Sequence, residues 1–124
     1  MAIHNELGKK GELKSIKHLQ SEGYQILEQN YRCPPAEVDL ICRKADEIIF
    51  VEVKSRTQNT FDIDNWGLNK GQMQRIVNTA YDYMHKIKWE GTFRFDIITI
   101  AFSAEGAYEL KHYKDAFFPG LHGI

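Results

Sequence analysis

Two segments of the chain space their apolar residues as an amphipathic helix does. A helix is predicted from about residue 69 to 88, where the apolar positions are Met73, Ile76, Val77, Ala80, Met84 and Ile87. Another is predicted from about residue 5 to 22, followed by Gly23, which favours a helix end.

Five apolar segments with little helical periodicity predict β-strands. They cover about residues 24–31, 37–43, 48–54, 92–102 and 107–112. The second and third are rich in β-branched and aromatic residues, which strands favour. Pro34-Pro35 separates the first two strands, because proline cannot donate to a sheet. The polar segment 55–68 is predicted to be a loop, and a loop of this length is often functional.

The predicted element order is αβββαββ, which indicates an α/β fold with helices packed on a mixed central sheet. The 124 residues fit a single domain. Its core is expected from about residue 5 to 112, with a C-terminal tail at 113–124. The adjacent Phe117 and Phe118 are expected to pack against the core, the alternative being a surface for a partner.

The composition is that of an ordinary globular protein, with a net charge of −1. Many nucleic-acid-binding proteins are strongly basic, so the overall charge does not favour that class. No apolar run approaches the roughly 18 residues of a membrane helix, and the start of the chain does not resemble a signal peptide. We therefore expect a cytoplasmic protein without membrane contact. The five histidines, at 4, 18, 85, 112 and 122, are interpreted as surface or loop residues.

The second and third predicted strands carry charged residues on one face. Because side chains alternate along a strand, Glu37 and Asp39 share a face, as do Glu52 and Lys54. With Ala45-Asp46 as the hairpin loop, Asp39 lies opposite Glu52, and Glu37 opposite Lys54. Facing carboxylates repel, and a hard cation such as Mg²⁺ or Mn²⁺ would remove that penalty. The other face of the second strand is apolar: Val38, Leu40 and Cys42.

Lys54 and Glu12 complete a candidate catalytic site. Lys54 is suited to a place beside a scissile phosphate, where it would stabilise developing negative charge. On a helical wheel Glu12 lies in an apolar stripe with Gly8, Ile16 and Leu19, where an unpaired carboxylate is costly. Gly8 is expected to let another element approach. The predicted catalytic residues are Glu12, Asp39, Glu52 and Lys54, with the three carboxylates as metal ligands.

Several other residues are candidates for nucleic-acid contact. Glu37 is either a further metal ligand or a partner that holds Lys54. Arg56 is a candidate for a phosphate contact, with a surface ion pair as the alternative. Lys70 and Arg75 lie near the start of the second helix, which favours anions.

Some polar and aromatic residues have a structural interpretation beside the functional one. Tyr31 and Trp66 either stack on unpaired bases or belong to the core. Asp96 is expected to be structural, with Arg94. Lys10, Lys14 and Lys17 are interpreted as a solvated helix face rather than a DNA groove.

Taken together, these motifs resemble a known family. An Asp on one strand and Glu-x-Lys on the next, with an acidic residue on the preceding helix, is similar to the PD-(D/E)xK nuclease superfamily. More closely, the chain resembles the YraN-like family of uncharacterised bacterial proteins, itself similar to archaeal Holliday junction resolvases. The matching segments are Asn5, Gly8, Gly11-Glu12, Gly23-Tyr24, Asn30-Tyr31-Arg32, Glu37-Val38-Asp39-Leu40-Ile41, Phe50-Val51-Glu52-Val53-Lys54, Arg56 and Arg94-Phe95-Asp96.

The resemblance implies a restriction endonuclease-like αβββαβ core with Glu12, Asp39, Glu52 and Lys54 at its active site. It implies a Mg²⁺- or Mn²⁺-dependent endonuclease that hydrolyses phosphodiester bonds in DNA, including branched or structured DNA in repair or recombination. A homodimer is expected, since cutting a junction needs two sites, and no small-molecule cofactor is expected. The alternative is a non-catalytic nucleic-acid-binding or assembly module that retains the fold.

Overall fold

The helices and strands follow the predicted order. A computed structural model describes residues 2–57 and 68–117. Its elements are α1 (Ala2–Ser21), β1 (Gln25–Cys33), β2 (Ala36–Lys44), β3 (Glu47–Thr57), α2 (Lys70–Ile87), β4 (Thr92–Phe102) and β5 (Tyr108–Phe117). The strands form one sheet in the order β1-β2-β3-β4-β5. The predicted α/β class and the αβββαβ core are therefore confirmed.

The sheet is antiparallel except between β3 and β4. Hairpins join β1 to β2 at Pro34-Pro35 and β2 to β3 at Ala45-Asp46. The parallel pairing of β3 with β4 requires a crossover, and α2 supplies it. The β2–β3 ladder runs from Lys44 opposite Glu47 to Leu40 opposite Val51, which confirms the predicted register.

Two apolar clusters lie on opposite faces of the sheet, one under each helix. Phe50 of β3 belongs to the cluster that contains Ile76, Val77 and Ala80 of α2. The neighbouring β3 residue, Val51, belongs to the cluster that contains Leu19 of α1. Neither helix in the described part of the chain is long and apolar enough to cross a membrane.

Val38 departs from the predicted alternation along β2. It packs in the α2-side cluster with Ile41, whereas the sequence pattern grouped it with Leu40 and Cys42. The β2–β3 ladder ends at Leu40, so the pattern of the paired segment does not extend to Val38. The predicted face of Val38 was therefore wrong.

Of the five strands, β3 and β5 extend furthest beyond their predicted ends. β3 continues to Thr57, because its last residues pair in parallel with β4 as far as Phe102. β5 continues to Phe117 rather than ending near residue 112. The Phe117 ring is buried and stacks on Phe95 with centroids 5.0 Å apart, so its predicted packing is confirmed. Phe118 lies outside the described residues.

A buried carboxylate, Asp96, joins β4 to β5 and α1. Arg94 donates two hydrogen bonds to it, each 2.8 Å long, and His112 Nε2 lies 2.7 Å from its Oδ2. His18 Nε2 lies 3.1 Å from His112 Nδ1. Burial alone would raise the pKa of Asp96, but the hydrogen bonds from Arg94 and His112 lower it. The pairing of Asp96 with Arg94 is thus confirmed.

The interpretation of His18 and His112 as surface or loop residues was wrong. They lie on α1 and β5 and extend the Asp96 network across the α1 side of the sheet. They are 94 residues apart in the chain, and no local pattern reports such a contact.

The predicted apolar stripe of α1 is confirmed at Leu19, which is fully buried, but small residues beside the stripe make the closest approach of α1 to β3. Gly11 and Ser15 are buried, and a Cβ atom at Gly11 would collide with the side chain of Ser55. A Cβ atom at Gly8 would meet nothing within 4 Å. The prediction that Gly8 permits the close approach was therefore wrong, and Gly11 has that role. Apolar periodicity missed it because glycine and serine contribute little to such a pattern.

Substituting the two glycines should separate these roles. Gly11→Ala should destabilise the fold by about 1–3 kcal/mol, because Ser55 and the helix must move apart. Gly8→Ala is the matched control on the same helix and should stabilise by about 0.5–1 kcal/mol, since alanine is the better helix former. Urea unfolding of both variants measures the difference. Equal effects would contradict the assignment of the contact to Gly11.

Candidate active site

Asp39 and Glu52 hold β2 and β3 together where their ladder ends. The last backbone pair is Leu40 opposite Val51, and the register places Asp39 opposite Glu52 at the next position. Here the backbone N–H of Asp39 donates to Glu52 Oε1 at 3.2 Å, and the N–H of Val53 donates to Asp39 Oδ2 at 2.8 Å. Each carboxyl group therefore binds the backbone of the opposite strand, which fixes both groups at the point where the strands separate.

The two carboxyl groups are electrostatically coupled. Burial, followed by the negative charge of Asp39, raises the pKa of Glu52 well above its usual value, and Glu52 is only 6% exposed. Burial also raises the pKa of Asp39. Because a charged Asp39 raises the pKa of Glu52, Glu52 holds its proton more readily than a separate carboxyl group would. A divalent cation would compete with that proton for the same oxygens.

Lys54 supplies the positive charge nearest to this pair in sequence. It lies on β3 two residues after Glu52, and its side chain is partly buried. Its charge lowers the pKa of both Asp39 and Glu52, so it partly offsets their repulsion. The structure thus brings Lys54 into electrostatic contact with both predicted carboxylates.

Glu12 approaches the same region from α1. Its side chain is partly buried, and burial and then the charge of Asp39 raise its pKa. Asn30 Nδ2 donates to Glu12 Oε1 at 3.3 Å. Among the described residues, no three Asp, Glu, His or Cys side chains are close enough to form a ready metal cluster. The geometry therefore provides Asp39 and Glu52 as a ligand pair, with Glu12 beside them.

The coupled pair fits a hard divalent cation. Mg²⁺ is commonly bound through one or two carboxylates, while waters and substrate phosphates complete its coordination. Asp39 and Glu52 supply such oxygens, already fixed by backbone hydrogen bonds. The donor set thus suits Mg²⁺ or Mn²⁺, and Lys54 limits the excess negative charge.

Asn30 was not predicted as a site residue. It lies in β1 between the pairs Gln29–Leu40 and Tyr31–Val38, and so faces Asp39 across the β1–β2 ladder. Its φ of 51° is in the left-handed region, which Asn tolerates better than most residues. A polar Asn inside a strand was the available signal, but only the folded contact shows that it holds Glu12.

The remaining candidates lie in several different places. Glu37 forms an ion pair with Arg32 across the β1–β2 hairpin, with Arg32 Nε 3.3 Å from Glu37 Oε1. Arg56 is partly buried near the end of β3. Lys70 begins α2, and Lys70 and Arg75 are both exposed.

The two aromatic candidates have separate outcomes. Tyr31 packs edge-on against the Tyr83 ring, with centroids 5.0 Å apart, beside the α2-side cluster. This contact favours the core interpretation of Tyr31 over base stacking. The loop predicted at 55–68 was wrong at 55–57, which belong to β3, while its residues 58–67, including Trp66, lie outside the described residues.

Comparison with known proteins gives a consistent family assignment. Residues 11–100 match the sequence profile described as uncharacterised protein family UPF0102. A UPF0102 protein of Christiangramia forsetii is 39% identical, covering 95% of this chain and 98% of that protein. One from Bacteroides thetaiotaomicron is 36% identical, covering 98% and 99%. One from Clostridium perfringens is 40% identical, covering 92% and 95%.

The repulsion between Asp39 and Glu52 should appear in the pH dependence of stability. Because folding raises the pKa of Glu52 above about 4.5, wild-type stability should fall as the pH rises through the folded-state pKa. Glu52→Gln keeps the acceptor for Asp39 N–H and adds a donor to its carboxylate. In EDTA at about pH 8 it should raise Tm by about 4 °C, and the gain should shrink toward pH 5.

Thermal unfolding across this pH range provides the measurement, with Glu90→Gln as the exposed control that changes the same charge. A Glu52→Gln variant less stable than wild type at about pH 8, or a gain independent of pH, would contradict the coupling.

Proposed function

Since this chain belongs to the uncharacterised protein family UPF0102, the YraN family that its motifs resemble, we propose its function from the site itself. The proposed function is that of a metal-dependent endonuclease that hydrolyses phosphodiester bonds in DNA. One observation carries this proposal, namely the interacting carboxyl groups of partly buried Asp39 and buried Glu52 where β2 and β3 separate, with Lys54 nearby on β3.

The pair supports the proposal because its arrangement is unfavourable for folding alone. Burying two carboxyl groups against each other is costly unless a proton or cation lies between them. A structural role would be served equally well by an amide or an apolar pair. The presence of both acids is explained if Asp39 and Glu52 together bind Mg²⁺ or Mn²⁺.

Each site residue has a distinct role in the proposed reaction. Asp39 and Glu52 would hold the metal ion, which when bound lowers the pKa of a water molecule and neutralises phosphate charge. Lys54, on the same strand as Glu52, would stabilise negative charge on the phosphate as it is attacked. Glu12 is oriented by Asn30, and burial raises its pKa, so it is a stronger base than an exposed glutamate and is suited to accept a proton from water.

We include branched or structured DNA among the proposed substrates, with a homodimer as the active assembly. Two strands of a junction must be cut, and one chain offers one Asp39–Glu52 pair. Light scattering of the protein mixed with a four-way junction should show two chains per junction, with the protein alone measured for comparison. A single chain on the junction would contradict the dimer but not the metal-dependent cutting.

Substitutions at the site should separate metal binding from cutting. Asp39→Asn should abolish both Mn²⁺ binding and cleavage, whereas Lys54→Gln should retain Mn²⁺ binding and lower cleavage roughly 100-fold or more. The matched controls are Asp46→Asn, on the turn of the same hairpin, and Lys9→Gln on α1, both at exposed positions. Neither control should change either quantity.

The assay uses junction, flap, single-stranded and duplex DNA with Mg²⁺ and with Mn²⁺, and calorimetry measures Mn²⁺ binding. If wild-type protein binds Mn²⁺ but leaves every substrate intact, the enzymatic proposal is wrong. Binding of DNA without cleavage and without a metal effect would support the second candidate, a non-catalytic nucleic-acid-binding module.

A further inference from the structure

A groove runs between α1 and the hairpin that joins β4 to β5, and we call it the lysine groove. Its main cavity has a volume of about 990 Å³ and is lined on the helix side by Lys10, Leu13, Lys14 and Lys17. Phe102 belongs to the opposite wall. The predicted solvated face of α1 therefore forms one wall of a concave surface.

The lysine groove continues past the main cavity along α1. A second cavity of about 440 Å³ shares Lys14 and Lys17 with the first. It is also lined by His18 of α1 and by Tyr108 and His112 of β5. The two cavities thus form one path along the outer side of α1.

Positive charge is concentrated on this path although the whole chain has a net charge of −1. Among the described residues that line the two cavities, Glu105 is the only acidic one, against three lysines. Burial and the neighbouring His112 lower the pKa of His18, so the lysines carry the charge at neutral pH. Such a surface attracts a polyanion.

The lysine groove also offers apolar and aromatic surface between its charges. Leu13 is 62% exposed and Tyr108 is 45% exposed. Lys14 Nζ lies 4.8 Å from the centre of the Tyr108 ring, and the same ring lies 6.0 Å from that of Phe102. Lysines that follow a backbone, with aromatic rings beside them, are the combination that binds unpaired nucleic-acid strands.

We propose that the lysine groove binds an unpaired nucleic-acid strand, with Lys10, Lys14 and Lys17 contacting successive phosphates and Tyr108 stacking on a base. The lysines are spaced by roughly 6 and 4.5 Å along the helix axis, on the scale of the separation between neighbouring phosphates. An acidic peptide would satisfy the charge but would leave the exposed ring of Tyr108 without a planar partner. A nucleic-acid strand uses both features.

The lysine groove and the candidate active site share α1 and β3, but they lie on opposite sides of the helix. Gly11 packs α1 against Ser55, the residue after Lys54, and Thr57 at the end of β3 lines the groove. Lys10 and Glu12 are two residues apart and so lie on opposite sides of α1. A strand in the groove would therefore run along the helix that carries Glu12. Only this link to cutting rests on the proposed function, because strand binding needs no metal.

Fluorescence anisotropy tests the proposal with a labelled oligothymidylate of roughly 12 nucleotides, in EDTA so that no cutting intervenes. Lys14→Gln with Lys17→Gln should weaken binding about tenfold. The slope of log affinity against log salt should become shallower by about 1.4, or 0.7 for each lost phosphate contact. The control variant Lys9→Gln with Lys86→Gln removes the same charge at exposed positions outside the groove and should change neither quantity.

Tyr108 provides an independent readout. Tyr108→Phe should keep wild-type affinity because the ring remains, whereas Tyr108→Ala should lose about tenfold with an unchanged salt slope. A purely structural role for Lys14 and Lys17 would not alter the salt slope in this selective way.

Several outcomes would overturn the proposal. The wild-type protein could fail to bind the oligonucleotide, or the groove and control variants could lose the same affinity. The wild-type protein could also bind a duplex or an acidic peptide more tightly than the oligonucleotide. Concentration-dependent dimerisation that the groove variants abolish, without oligonucleotide binding, would identify a second copy as the occupant. If the groove variants still bind the oligonucleotide normally and still cleave DNA, only the proposal for the lysine groove is wrong. Groove binding without cleavage contradicts only the proposed endonuclease.

Discussion

Two carboxyl groups, the partly buried Asp39 and the buried Glu52, each bind the backbone of the opposite strand at the point where β2 and β3 separate. These two hydrogen bonds follow the last backbone pair of the β2–β3 ladder and fix both carboxyl groups there. The arrangement also creates an electrostatic problem, because burial and mutual repulsion favour a proton on the pair. A divalent cation bound between the two carboxylates would remove this repulsion by replacing the proton.

The surrounding elements are consistent with this interpretation. β3 is the central strand of the sheet, and beyond the end of its ladder with β2 the positions of Glu52 and Lys54 are set by parallel pairing with β4. Gly11 lets α1 lie close against Ser55, which brings Glu12 near Asp39. Asn30 then orients Glu12 from the opposite direction. Four elements, α1, β1, β2 and β3, thus position the acidic groups, while the Asp96 network stabilises the sheet away from them.

Much of the fold could be predicted because its signals are local. Alternation along β2 and β3 and the two-residue turn at Ala45-Asp46 were sufficient to place Asp39 opposite Glu52. Helical periodicity identified α2 in the same way. The face of α1 could not be predicted as well, because its closest contact uses Gly11 and Ser15, which carry little hydrophobic signal.

Contacts between distant parts of the chain were beyond the sequence pattern. His18 and His112 resemble ordinary surface residues until β5 is placed beside β4 and under α1. Asp115 resembles a loop residue, yet its N–H donates to Asp96 and the strand continues past it to Phe117. For the same reason the role of Asn30 depends on a left-handed backbone that only the folded strand reveals.

The central claim is that Asp39 and Glu52 together bind one divalent cation. Anomalous scattering from crystals of the full chain grown with Mn²⁺ tests this most directly. The account predicts a single strong manganese peak about 2.1 Å from an oxygen of each carboxylate, absent from crystals of Asp39→Asn. A wild-type crystal without a peak at this pair, or with manganese bound only elsewhere, would contradict it.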